Sequence, residues 1–231
     1  DDTAAGPYVG TIANVTNLAP SSVLFNSSVN SYTLSTNISG TAPLVKLGTA
    51  TATLAGQTTY NPGSIMIGAG TLTLSAASRL NSGLYAGSIA LNNGSFTFNS
   101  VGAQTLGGPI SGVGSITLNG AGSLALTNAN NTYSGGTTVS SGTLYGKNNA
   151  TAFGTGALAL KGGTLELDND TTLAFNNAVT VSAAQAVKSG RLTAGSGVTH
   201  SLGALTLLNY TLTLSAGAAV NANSPYGLAF G

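Results

Sequence analysis

Hydrophobic residues along this chain recur at every second position, in short bursts separated by glycine or asparagine. GSIALNNGSFTF (87–98), GALALKGGTLEL (156–167) and GALTLLNYTLTL (203–214) align without gaps, and GSITLNGAGSLAL (114–126) is a fourth copy with one extra residue. Each begins with glycine, alternates apolar and polar residues, breaks briefly and alternates again. The inward sets are Ile89, Leu91, Phe96 and Phe98; Leu158, Leu160, Leu165 and Leu167; and Leu205, Leu207, Leu212 and Leu214. A period of two describes a strand buried on one face, whereas a helix would place these side chains on opposing faces.

The breaks supply residues suited to tight corners. Asn92-Asn93-Gly94 and Lys161-Gly162-Gly163 tolerate positive φ, while Leu208-Asn209-Tyr210 lacks glycine and is expected to form a different corner. Strands of about five residues, roughly 17 Å long, are too short for a stable hairpin but suited to stacking. A longer unit is also visible. TYNPGSIMIGAGTL (59–72) precedes one 12-residue copy much as TYSGGTTVSSGTL (132–144) precedes another, with Tyr60 and Tyr133 73 residues apart. That interval accommodates three turns of roughly 20–25 residues, which predicts an all-β parallel solenoid of roughly nine to eleven short rungs. Residues 44–214 hold the repeats, 1–43 the first rungs or a cap, and 215–231 a last rung or assembly segment. The small-residue segments Ser75–Leu80 and Ser182–Lys188 read as loops protruding from corners. A β-sandwich rarely repeats a 12-residue unit without gaps. A membrane barrel calls for strands of about ten residues with aromatic girdles, and this chain has no Trp and 6% aromatic residues.

The run Asn131-Thr132-Tyr133-Ser134-Gly135-Gly136-Thr137-Thr138-Val139-Ser140-Ser141-Gly142-Thr143-Leu144, continued by Gly156 to Leu167, resembles the autotransporter-associated β-strand repeat. The match is good over 114–167, weaker over 44–98 and degenerate over 170–214. The resemblance implies a right-handed parallel β-helix in the passenger region of a bacterial type V secreted protein. Such a protein is exported through the outer membrane, displayed outside the cell and often adhesive. No translocator barrel follows Ser224–Gly231, and charge is sparser than a passenger is expected to carry. The expectation is either a passenger fragment or a short exported protein that uses the repeat alone.

Composition narrows function more than it defines it. Charged residues make up 5% of 231, the formal net charge is +1, and none lies between Arg79 and Lys147. That leaves no basic patch for nucleic acid. No stretch of about 20 residues is apolar enough for a membrane helix. No signal-peptide pattern opens the sequence, and the expectation is a leader that is absent or already removed. Cysteine is absent, as suits an exported chain that stays unlinked.

Candidate chemistry is thin. Gly120–Ala125 and Gly154–Ala159 match a relaxed dinucleotide fingerprint, but each runs into a strand, and a phosphate cradle needs a helix N-terminus. Glu166, Asp168 and Asp170 form the acidic cluster. The functional reading is a Ca²⁺ site or a carboxylate pair of a polysaccharide-cleaving β-helix, with Lys188 and Arg191 as basic candidates. The simpler reading is a solvated outer strand face. His200 is the single histidine and reads as a loop or outer-face residue, and Lys161 as a solvated corner residue. Asn-x-Ser/Thr sequences at Asn14, Asn26, Asn37 and Asn149 are expected by chance in such a composition. Thr49-Ala50-Thr51-Ala52-Thr53 and Thr211-Leu212-Thr213 hint at the threonine rows of ice-binding proteins. They are not aligned from copy to copy, so the expected role is a wet outer face. No cofactor, metal or catalytic residue is expected.

The remaining expectation is structural. Tyr133, Gly135, Gly136 and Gly142 should shape a corner and a strand. Gly6-Pro7-Tyr8-Val9 and Ser224–Phe230 carry apolar-aromatic residues without blocking charges, and Tyr8, Tyr226 and Phe230 are candidate assembly residues. The chain reads as a non-enzymatic extracellular scaffold forming homo-oligomers through the solenoid ends. The alternative is a monomeric adhesin for glycan or a host protein.

Overall fold

Period-two alternation with glycine corners folds as a coil of short parallel strands. The computed structural model describes residues 18–57 and 59–231. The first rung holds β1 (Val23–Asn26) and β2 (Tyr32–Leu34), and the second β3 (Leu44–Leu47) and β4 (Thr51–Ala55). The third holds β5 (Ser64–Ile67), β6 (Thr71–Ala76) and β7 (Leu84–Tyr85), with a 3-10 turn at Asn81–Gly83. The fourth is β8 (Ser88–Leu91), β9 (Ser95–Ser100) and β10 (Ala103–Leu106). The fifth is β11 (Ile110–Ser111), β12 (Ser115–Leu118) and β13 (Ser123–Leu126). Then follow β14 (Thr137–Val139) with β15 (Thr143–Lys147), and β16 (Leu158–Leu160) with β17 (Thr164–Asp168). The eighth holds β18 (Val179–Val181) and β19 (Gln185–Gly190). The ninth is β20 (Thr199–Leu202), β21 (Leu205–Leu207) and β22 (Leu212–Ala216), and β23 (Gly227–Phe230) opens a further turn.

Three sheets form the sides. Side one is β1-β3-β5-β8-β11, side two contains nine strands from β2 to β21, and side three runs from β7 to β22. The separate pair β20-β23 resumes the position of side one, and Ala174 of the preceding turn makes an isolated parallel bridge to Ser201 of β20. Side two has a strand in every rung and spans about eight full turns of the coil, close to the sequence expectation. Its register partners are 20 to 26 residues apart. The fold is therefore a parallel β-solenoid.

Inward residues stack into columns that fill a single core. Leu54, Leu74, Phe98, Leu118, Val139, Leu160 and Val181 follow one another along side two, all buried. Each such side chain removed from water contributes about 1.5–3 kcal/mol. The column on side three is interrupted at Gly146, where the rings of Phe153 and Phe175 fill the space a side chain would take. Those rings stack at 5.3 Å between centroids.

Two expectations need correction. Segment 182–188 is no protruding loop: residues 185–188 open β19, and Val187 is buried in the core. Small residues here serve a strand because tertiary pairing overrides weak helical pattern. Likewise, the four 12-residue copies do not occupy equivalent places. Copy 87–98 is β8–β9 and crosses from side one to side two. Copies 114–126, 156–167 and 203–214 cross from side two to side three. Tyr60 and Tyr133 share this offset, since Tyr60 precedes β5 on side one and Tyr133 precedes β14 on side two. Each corner needs the same residues, so one sequence unit serves different corners. At the glycine-free corner, Asn209 supplies the positive φ of 61°.

Candidate functional site

The corner around Tyr133 is built for packing. Its ring is fully buried, and its hydroxyl shares a 2.6 Å hydrogen bond with Thr137 Oγ1. Thr137 thus stands in an otherwise apolar inward column to satisfy a buried phenol. Burial raises the Tyr133 pKa far above the usual tyrosine range. Gly136 has φ +82°, and a Cβ there would lie 2.6 Å from Ala157 O. Gly142 has φ +68° and sits over the Gly122 carbonyl, so it too admits no side chain. A Cβ on Gly135 would meet Gly114 at 2.5 Å. These four residues converge on one stretch of coil and share no cavity aimed at a ligand. Tyr226 lies elsewhere, 39% exposed, and Phe230 is half-buried against the core at the end of β23. Tyr8 lies outside the described residues.

The acidic cluster corrects the expectation of a solvated face. Glu166 and Asp168 project outward from β17, yet both are buried because the chain returns over them. The Ala218 N–H donates to Glu166 Oε1 at 2.6 Å. Lys147 Nζ lies 3.1 Å from Asp168 Oδ2, and Lys188 Nζ lies 3.8 Å from Glu166 Oε2. Asp168 Oδ1 has no hydrogen-bond partner. Desolvation raises the Asp168 pKa to about 6, opposed by Lys147 and reinforced by Glu166. Asp170 closes a neighbouring loop, accepting from the N–H groups of Leu192 and Thr193 and pairing with Arg191 at 3.5 Å. Among the described residues, no three His, Cys, Asp or Glu side chains group to hold a metal ion.

His200 is also misplaced by sequence reasoning. It is fully buried in β20, accepting from the Leu173 N–H at Nδ1 (3.2 Å) and lying 3.1 Å from Gly190 O at Nε2. Burial lowers its pKa. It faces the core from an inward position of β20, alternating with Leu202, and its ring stands edge-on to Phe175 at 6.1 Å between centroids. Lys161 is exposed beside its glycine corner, as expected.

Sequence reasoning missed a set of buried clamps. Lys46 faces inward, 1% exposed, and donates to Leu47 O and Gly48 O, both at 2.7 Å, and to Ala69 O at 3.3 Å. Asn131 accepts from the Ile110 N–H and donates to Ala152 O, both at 2.9 Å, tying three successive turns. Gln104 and Gln185 likewise bind backbone groups of neighbouring turns. Corners leave backbone groups outside the sheet ladder, and a buried amide satisfies both donor and acceptor. The available signal was a polar residue at an inward position of the alternation.

The threonines form the most regular surface. Thr33, Thr53, Thr73, Thr97, Thr117 and Thr138 are successive register partners on side two. Ala159, Thr180 and Thr206 complete the column. Thr51, Thr71, Ser95 and Ser115 form a second column beside it. The expectation of unaligned rows is therefore wrong. Rung lengths vary because insertions fall at other corners, and only the sheet register exposes the alignment.

Residues 65–97 and 116–145 match the family described as Passenger-associated-transport-repeat. No curated protein and no solved structure matches the chain. The two matched segments differ in phase: the first begins on β5 of side one, the second on β12 of side two. No helix among the described residues is long and apolar enough to cross a membrane. The chain is a parallel β-solenoid in which two segments match the passenger-associated transport repeat, in line with the expected resemblance of 44–98 and 114–167 to autotransporter passengers.

Proposed function

We propose that this solenoid is a non-enzymatic scaffold of a secreted, surface-displayed bacterial protein, and that copies associate end to end. The repeats support export as a passenger. One observation carries the assembly reading: the last rung shows its core columns end-on. Leu207 and Leu214 continue the inward columns of Val181 and Val187, which are buried, yet they are 47% and 38% exposed. Leu208 and Tyr210 beside them are 50% and 48% exposed. β21 and β22 are also the terminal strands of their sheets, with one edge unpaired among the described residues. A strand layer from a second copy would complete both the ladder and the apolar columns. A head-to-tail contact of this kind does not close, and so propagates.

Sedimentation velocity over a concentration series, with negative-stain microscopy, tests the proposal. Oligomers or filaments that grow with concentration are expected, and Leu207→Asp with Leu214→Asp should return the chain to monomer. Monomers at every concentration would overturn end-to-end assembly, and glycan-array binding by that monomer would favour the adhesive reading.

A further inference from the structure

We propose that the outer face of side two binds ice, through its continuous ladder of threonines. The column Thr33, Thr53, Thr73, Thr97, Thr117 and Thr138 is unbroken over six rungs, and across the nine strands only Ala159 departs from threonine. Parallel strands fix the spacing along this column at about 4.7–4.9 Å. The second column stands two residues away along the strand, roughly 6.5 Å. The result is a two-dimensional grid of hydroxyls and methyls with repeats close to those of oxygen atoms in hexagonal ice.

The hydroxyls are available and held in place. Ser95 and Ser115 share a bond with each other, and Asn119 donates to Asn99 at the border of the face. The ladder threonines spend no hydroxyl on another protein group among the described residues. A β-branched side chain in a strand has few χ1 options, so the grid is rigid before it meets water. Methyl groups between the hydroxyls keep water from disordering the array, and the hydroxyls anchor the ordered layer.

Charge selects the occupant. The outward positions of side two from β4 to β14 carry no charged side chain, and Lys161 on the next rung stands at the margin, just beyond β16. A neutral crystal of water is complementary to a neutral grid, whereas an ammonium would impose its own hydration shell. A nucleic acid would need cations here. A protein partner would find little apolar area to bury, because the leucines of these strands point inward.

The test uses the purified chain in ice-affinity partitioning and recrystallisation assays. The expected result is incorporation into growing ice and inhibition of recrystallisation. Thr97→Lys with Thr117→Lys should raise the concentration needed at least tenfold, and Thr105→Lys on side three should leave it unchanged. Ala159→Thr, which fills the gap in the ladder, should strengthen adsorption about twofold. Exclusion of the unaltered chain from ice overturns the proposal, as does retention on insoluble polysaccharide without ice adsorption. Full activity in the folded double-lysine variant overturns it too. Should that variant lose its β circular-dichroism signal, Ala159→Thr decides, and no gain counts against the ladder.

Discussion

Sides two and three are built from the same short parallel strands and the same inward leucines, yet their outer faces have opposite chemistry. Side two presents threonines in register and has no chain passing over it among the described residues. Side three presents Tyr145, Glu166 and Lys188 in one outward row and Lys147, Asp168 and Gly190 in the next. Residues 217 and 218 return across these rows, and the Ala218 N–H bonds to Glu166. Lys147 also sits 4.3 Å above the Tyr145 ring. The contrast separates two tasks. Inward columns and corner glycines define the coil, while outward residues answer to whatever covers them. A covered face must pair its charges, and an open face is free to carry a neutral array.

The largest effect should come from the corner that both sides share. Gly142 links β14 on side two to β15 on side three, with positive φ and the Gly122 carbonyl against it. Gly142→Val combines backbone strain with overpacking and should cost at least about 3 kcal/mol. Denaturant unfolding reads this directly, and an unchanged midpoint would show that the corner does not constrain the two sides.

A smaller effect should separate them. Asp168 titrates near pH 6 in the fold, above its ordinary value of 3.8, because burial penalises its charge. The folded chain therefore binds a proton that the unfolded chain has already released between about pH 4 and 6. Stability from this group is present below that window and falls as pH rises through it, by about 3 kcal/mol at most. His200 acts in the opposite direction, since burial keeps it neutral and acid favours the unfolded chain below pH 6.5. Asp168→Asn should abolish the first trend and leave the second, so its stability rises with pH where the unaltered chain shows a flatter profile. Denaturant midpoints at pH 4.5 and 7 measure both. Parallel profiles for the two proteins would remove Asp168 as the source.

Much of the coil could be read locally, and its outer faces could not. Leu158, Leu160, Leu165 and Leu167 disclose their burial by alternation, and Gly142 discloses a corner by composition. These are properties of a few adjacent residues. Alternation places Asp168 on the outside, and its burial depends on residues 217 and 218 returning over that face, whereas His200 is an inward polar residue of β20 that alternates with Leu202. The threonine ladder was hidden for another reason. Thr73 and Thr97 are 24 residues apart while Thr97 and Thr117 are 20 apart, so no fixed period aligns them. Register is set by the inward leucines and glycine corners, which absorb insertions at the other vertices. Lys46 and Asn131 were missed because an inward polar residue breaks the alternation that reveals a strand.

The smallest expected effect is the one that defines side two. Thr117→Val keeps shape and β-branching and removes one hydroxyl from the middle of the ladder. With no protein partner for that hydroxyl, the unfolding free energy should change by less than about 0.5 kcal/mol at either pH. On side three, removing Lys147 strands a buried carboxylate, and Lys147→Met should cost about 1–2 kcal/mol at pH 7, with part recovered at pH 4.5 as Asp168 takes up its proton. The pair of measurements asks whether outward polarity on each side serves the fold. A loss above about 1 kcal/mol for Thr117→Val would make the ladder a structural element, maintained by cross-strand contacts rather than by what lies outside it. A negligible loss leaves eight aligned threonines that stability does not explain, and their regularity then has to be sought in the surface they present.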